Sequence, residues 1–366
     1  MSQLRVTKEL ESDNIYINID FNNNTPDSIQ SAVFNIERND IVIEHPNEYY
    51  LSCVRFSVPA ISTPVLIFPI QSNQNNINLS TFSVTLQNNN DISREFVIYQ
   101  PRNGPNVRIP SSPVTEQEII PYYFLYNYQH LIDMINIAFI NALDNLPNKP
   151  ANSEPPQLVY DPQSKLFSLI VQRQFYSLNV NNADTILIYM NSNLFTLLIG
   201  LSNEVVNLSE GRDFQILPFE YLNNSFQDPL AAPVYPSTYI EIKQQFSSVQ
   251  QWYAVKNIIL SSNLLPARKE YVGDNTTRTS AILDFEPPRD SNSDIRSVLQ
   301  YFVAGQYRLV DLLGNNSIEN FDINFQWQDV YGNVYPIEVP YLQSITLKLA
   351  FFRKELFNSN FNNLHK

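Results

Sequence analysis

Apolar and polar residues alternate with a period of two along much of the chain. In "FDINFQWQ", Phe321, Ile323, Phe325 and Trp327 fall on one side and Asp322, Asn324, Gln326 and Gln328 on the other. "SITLKLAF" sets Ile345, Leu347, Leu349 and Phe351 against Ser344, Thr346, Lys348 and Ala350. "TYIEIKQ" and "TFSVTLQ" repeat the pattern with Ile240 and Ile242, and with Phe82, Val84 and Leu86. This spacing predicts strands with one face on a core and the other in water. Gly332-Asn333 reads as the reversal after the Trp327 strand.

Two stretches depart from that period. From Asn127 to Leu146 the apolar positions are Leu131, Ile135, Ala138, Phe139, Ala142, Leu143 and Leu146, a helical spacing stopped by Pro147. "NSNLFTLLIG" predicts a short second helix, capped by Asn191 or Ser192 and closed by Gly200. Strands near 15–20, 29–43 and 48–58 come before this middle region. Strands near 238–260, 278–286, 298–312, 320–328 and 344–352 come after it. The expected architecture is mainly β, an antiparallel domain interrupted by an inserted α/β domain. The Pro-rich stretch Asn145–Pro156 is then a loop within the insertion.

Composition narrows the function classes. Charged residues are 16% of the 366, well under the usual ~25%, and neutral polar residues make up the difference. With 23 Phe and 21 Tyr the chain can fill a large core and is expected to fold. Only 7 glycines are present, so turns fall to Asn, Asp, Ser and Pro, as in the runs Asn22–Asn24 and Asn88–Asn90. A net charge of −13 argues against sheathing nucleic acid or resting on an anionic membrane. Met1–Leu10 lacks the apolar run of a signal peptide, and Val58–Ile70 is broken by Pro59, Pro64 and Pro69 before it could span a bilayer. Cys53, the single cysteine, sits in an apolar run and reads as a buried, inert thiol. A soluble, reduced, intracellular chain is expected.

Candidate chemistry is thin. The glycines are isolated, so no loop can cradle a phosphate. His130 and Asp133 share a face of the predicted helix, but a surface histidine beside a carboxylate explains them better than a metal site. Cys53 and His45 have nothing to orient them as nucleophile and base. The acidic pairs Asp284/Glu286 and Asp322/Asp329 read as solvated strand faces and turns. Arg268-Lys269 and Arg353-Lys354 are flanked by Glu270 and Glu355, which suggests local ion pairs. We therefore expect no catalytic, cofactor or metal residues, and no enzyme.

The C-terminal third carries a recognisable order: "VKNIILSSNLLPARKEYV", "SAILDFEPPRD", "QYRLVDLLG", "IENFDINFQWQDVYGNVYPIEV" and "SITLKLAFFRK". Within it stand a Ser-x-x-Leu-Pro turn followed by Glu270, Asp284-Phe285, Tyr307-Arg308 leading into Asp311-Leu312, and an Asp-x-x-Phe-x-Trp-x-Asp-x-x-Gly run from Asp322 to Gly332. With "YNYQHLIDMINIAFINAL" and "LVYDPQSKLFSLIV" in the middle segment, the chain resembles the minor capsid, or penton, proteins of virophages and polinton-like viruses. That lineage includes adenovirus penton bases. Here Gly211-Arg212-Asp213 is present but Arg-Gly-Asp is not, so integrin-type attachment is not implied.

The resemblance implies a single jelly roll of two antiparallel sheets, assembled as a homopentamer at fivefold vertices beside the major capsid protein. Other minor capsid or fibre proteins are further implied partners. The expected place is the virion, after assembly in the host cytoplasm. The jelly roll is expected at 1–72 and 237–366, with the insertion at 73–236. The arm Met1–Asn14 and the tail Phe357–Lys366 would reach neighbouring capsid proteins. Trp252–Leu260 would be a core strand, and the turn after it would shape a subunit contact through Leu265, Arg268 and Glu270. The alternative is a host-surface or carbohydrate-binding module on a jelly-roll scaffold.

Overall fold

A computed structural model describes residues 14–26, 28–37, 41–69, 79–100, 122–178, 184–209, 211–218, 238–252, 254–269, 281–287, 298–302 and 308–355. They form two compact units, which divide between residues 63 and 64 and between 254 and 255.

Among the described residues the first unit contains eight principal strands. They are β1 (Asn14–Asn22), β2 (Val33–Glu37), β3 (Tyr49–Pro59), β4 (Val255–Ser261), β5 (Ala281–Phe285), β6 (Val298–Phe302), β7 (Asn320–Asp329) and β8 (Ser344–Arg353). One sheet runs β1-β8-β3-β6 and the other β2-β7-β4-β5, with every neighbour antiparallel. That strand order is a jelly roll, interrupted between its third and fourth strands.

Period-two patterning explains why the sheets close on each other. Ile345, Leu347, Leu349 and Phe351 of β8 are all buried, as are Phe321, Ile323, Phe325 and Trp327 of β7. Phe56 of β3 meets Phe325 edge-on at 5.8 Å and Phe285 at 5.7 Å, so its ring ties the two sheets together.

Three expectations need correction here. The strands foreseen at 29–43 and 298–312 are each broken. Gln30–Ser31 pairs with Glu338–Val339 before β2 begins, and Val310–Asp311 follows β6 as a separate short strand on β3. The segment 238–260 is two strands in different units: Tyr239–Lys243 pairs with Leu166–Gln172, whereas β4 begins only at Val255. Trp252 is accordingly no strand residue of the sandwich. Third, the polar face of β7 is largely covered, because Asp322 and Gln328 are buried and Asn324 and Gln326 half-buried.

The second unit carries a five-stranded antiparallel sheet in the order Asn203–Ser209, Gly211–Ile216, Ile186–Asn191, Leu79–Asn88, Asp91–Ile98. A three-stranded sheet, Tyr239–Lys243, Leu166–Gln172, Gln157–Asp161, and the pair Leu66–Pro69/Tyr122–Leu125 complete its strands. Those pairings place both unit borders away from the expected 72/73 and 236/237, since Leu66–Pro69 and Tyr239–Lys243 find their partners inside this unit.

Helix α1 (Tyr128–Asp144) packs its apolar stripe on the strands Asp91–Ile98, Leu79–Asn88 and Gln157–Asp161. Asn127 caps it, its side chain accepting from the His130 amide at 2.8 Å. A short helix Ser192–Leu197 is capped by Asn191, which accepts from the Leu194 amide at 3.1 Å. Trp252 lies in this unit at 2% exposure, stacked on Phe167 at 5.0 Å and edge-on to Tyr128 at 5.1 Å. Its indole N–H donates to the Leu197 carbonyl at 2.8 Å. Asparagine serves the turns as expected: Asn89 takes a left-handed φ of 52°.

Candidate subunit-contact surface

β4 ends at Ser261, and the next six residues turn sharply. What holds the turn is a carboxylate from β7. Asp322 accepts from the Ser262 hydroxyl at 2.7 Å, from the amides of Asn263 and Leu264 at 2.8 Å each, and from the side chains of Asn263 and Asn324 at 3.0 and 2.9 Å. Ser262 Oγ in turn accepts from the Leu265 amide at 3.0 Å. Burial works to raise the Asp322 pKa, but these donors outweigh it and hold the carboxyl below its ordinary value.

The anchored turn sorts its two leucines. Leu265 is 2% exposed and packs inside the protomer, while Leu264 projects at 62%. The chain then zips onto the segment before β7. Ala267 bridges Leu312, the Leu313 amide donates to the Pro266 carbonyl at 2.6 Å, and the Arg268 amide donates to the Asp311 carbonyl at 2.9 Å. The Arg268 side chain is 74% exposed and sits 3.8 Å from the Asp311 carboxylate, a loose surface pair.

Asp311 has a closer partner in Lys354, at 3.0 Å. Lys354 also donates to the Asn47 carbonyl at 2.8 Å and lies over the Tyr50 ring. Beside it, Arg353 pairs with Glu48 at 3.1 Å. Arg268, Arg353 and Lys354 are thus ion-paired to acids on distant segments, the last two to Glu48 and Asp311 rather than to flanking Glu355. At this end of the sandwich the start of β3, the end of β8, the post-β4 turn and the pre-β7 segment are bound into one surface. Exposed Leu264, Leu313 and Arg268 stand out from it.

Of the three residues expected at a subunit contact, Leu265 is internal and Arg268 is available to a neighbour. Glu270 lies outside the described residues, as do Tyr307, residues 1–13 of the arm and the tail Phe357–Lys366. Sequence reasoning missed Asp322 as the organiser and Leu264 as the outward leucine.

The candidate chemistry resolves into structural roles. Cys53 is buried, and burial pushes its thiol up to about 12, while His45 is exposed. His130 is buried rather than on the surface, and its Nε2 hydrogen-bonds the Gln100 carbonyl at 2.6 Å. Asp133 accepts from Gln129 at 2.6 Å. Asp322 and Asp329 sit seven positions apart on one strand, about 23 Å at ~3.3 Å per residue, too far for a glycosidase pair. Asp329 instead closes the hairpin to Asn333, accepting from the amides of Tyr331 and Asn333 at 2.9 and 2.8 Å. Among the described residues no group of three His, Cys, Asp or Glu could hold a metal ion.

Comparison with known proteins agrees with this structural reading. Residues 15–354 match the family described as Sputnik minor capsid protein V18/19. Structural protein V19 of Sputnik virophage is 34% identical over 210 residues, 54% of this chain and 94% of that protein. Uncharacterized protein V18 of the same virophage is 33% identical over 131 residues, 34% of this chain and 78% of that protein. A chain in the cryo-EM structure of the Sputnik virophage superposes with a TM-score of 0.77 at 31% identity, covering 94% of this chain and 99% of that one. The mavirus penton protein shares the fold with a TM-score of 0.60 at 15% identity, covering 92% of this chain and 99% of its own. With a jelly roll at its core and a family match running from residue 15 to residue 354, this chain is a structural capsid protein and belongs to the Sputnik V18/19 family of virophage minor capsid proteins.

Proposed function

We propose that this chain is a penton protein, five copies of which close a ring at each fivefold vertex of an icosahedral shell and contact the major capsid protein around it. The observation that carries the reading is that the likeness to a penton protein extends over nearly the whole chain, inserted unit included, rather than over the sandwich alone. A jelly roll supplies strand edges and loop ends on which identical neighbours can pack, and a ring repeats one heterologous contact until it closes. The sparse charge suits such packing, because few ionised groups need be stripped of water at each contact. The sandwich is the ring-building part, and residues 64–254 form the lobe inserted into it. Assembly takes place in the host cytoplasm, and the finished protein resides in the virion.

Native mass spectrometry of the purified full chain tests the stoichiometry. The expected species has five times the 42.3 kDa chain mass. A protein that stays monomeric or stops at dimers at micromolar concentration, with or without the major capsid protein, removes the penton assignment. Co-assembly with the purified major capsid protein tests the second contact.

A further inference from the structure

The sheet β1-β8-β3-β6 has two open edges among the described residues. β1 pairs only with β8, and β6 pairs only with β3. Both edges carry exposed aromatic residues on the same outer face. Tyr16 of β1 is 50% exposed, and Phe302 of β6 is 60% exposed, with Val298 at 45% on the same face at the other end of the strand. The register places them on one face: Phe302 aligns with Arg55, Arg55 with Lys348, and Lys348 reaches over the Tyr16 ring at 4.9 Å. Phe352 holds Tyr16 from the other side, edge-on at 6.4 Å. Edge strands ordinarily carry charge or proline on such positions to prevent pairing. β6 (Val-Leu-Gln-Tyr-Phe) has neither.

We propose that the β6 edge of one copy pairs with the β1 edge of the next, with Phe302 opposite Tyr16, so that this sheet is continuous around the ring. The inference rests on the pentameric reading above and names the surface that would make it. Strand polarity favours a second copy of this chain as the occupant. Four strands, each antiparallel to its neighbour, leave β1 and β6 running in opposite directions. A copy rotated about an axis along the strands therefore brings its β1 antiparallel to β6, and the same contact repeats from copy to copy. Within one copy Phe302 lies level with Asn18, two residues along β1 from Tyr16. The pairing thus advances the register by two residues per copy, the kind of stagger that closed rings of tilted strands require. Across the contact, aromatic side chains directly opposite each other stabilise antiparallel pairing.

The test uses the full chain with Tyr16→Cys and Phe302→Cys together. Directly opposite β-carbons lie about 4.5–5.5 Å apart, within reach of a disulfide after slight adjustment or of a short bis-thiol reagent. Oxidation is expected to give a ladder of covalent species up to the pentamer on non-reducing gels, while each single variant gives none. Phe302→Lys is expected to raise the concentration for half-assembly at least tenfold, with an unchanged circular-dichroism melt of the unassembled chain. Native pentamers that form normally yet yield no ladder overturn this pairing and leave the penton assignment standing. Cross-linked dimers from Phe302→Cys alone overturn it in favour of a two-fold β6 contact. A chain that never assembles overturns both readings. Should Phe302→Lys fail to fold, the cysteine ladder alone decides.

Discussion

Asp322 on β7 and Ser262 just beyond β4 stand 60 positions apart in sequence, and their buried side chains share a 2.7 Å hydrogen bond. Around that bond the Asp322 carboxylate gathers two backbone amides and two asparagine side chains, so one residue fixes the path of the whole turn. The turn is an extension of the strand pairing between β4 and β7, not a loop free to move on its own.

Asp322→Ala should therefore destabilise the chain by ~3 kcal/mol, because several buried donors lose their acceptor together. Urea unfolding followed by circular dichroism measures it, and a change under about 1 kcal/mol would show the turn to be held by other means. Acid should act on the same residue. Its folded pKa is depressed, so its contribution is complete above the unfolded value near 3.8 and is lost as pH falls through the lower folded value. The wild type should lose more stability between about pH 5 and pH 2 than Asp322→Asn does.

Trp252 and Trp327, the two tryptophans of the chain, fall one in each unit. Trp252→Ala removes a ring stacked on Phe167 and edge-on to Tyr128 and should cost ~3–5 kcal/mol. Trp252→Phe keeps most of the packing but leaves the Leu197 carbonyl without its indole donor, and should cost less. Equal losses in urea titrations of the two variants would mean that the indole hydrogen bond, which both lack, and not the ring packing, carries the effect.

The sandwich was legible because its strands obey a local rule. Ile345, Leu347, Leu349 and Phe351 had to share a face, and α1 showed its stripe and its Asn127 cap in the same way. The fate of the other face is a different matter. Alternation says that Asp322 and Gln328 oppose Phe325, but it cannot say whether water or another segment covers them. Here a turn from 60 positions upstream covers Asp322, a long-range contact that leaves no local signal. The two leucines of "NLLP" failed for a related reason. Neighbours in a turn share composition and hydropathy, and only the hydrogen bonds to Asp322 decide that Leu265 points in and Leu264 out. Trp252 was misplaced because a mostly apolar stretch from Trp252 to Leu260 does not reveal that it crosses between units.

Cys53 provides a second probe of the sandwich. It is 2% exposed on β3, and its thiol is pushed up to about 12, so almost no thiolate is present at neutral pH. A thiol reagent in native buffer should label it no faster than global opening allows, with labelling complete within seconds in denaturant. Fast native labelling would show that β3 is loosely held in its sheet.

The post-β4 turn separates folding from assembly. Leu265→Ala empties a site inside the protomer and should lower stability by ~2–4 kcal/mol. Leu264→Ser touches a side chain that is 62% exposed and should change stability by less than about 0.5 kcal/mol. Arg268→Ala gives up only a 3.8 Å exposed pair and should be similarly mild. If this surface meets a neighbouring subunit, Leu264→Ser with Arg268→Ala should weaken pentamers while the melting midpoint holds, the reverse of what Leu265→Ala does. Native mass spectra recorded beside thermal melts make the comparison. Unaltered pentamers in the double variant would free this end of the sandwich from ring contacts and leave it to the major capsid protein, where the same two substitutions should then reduce co-assembly.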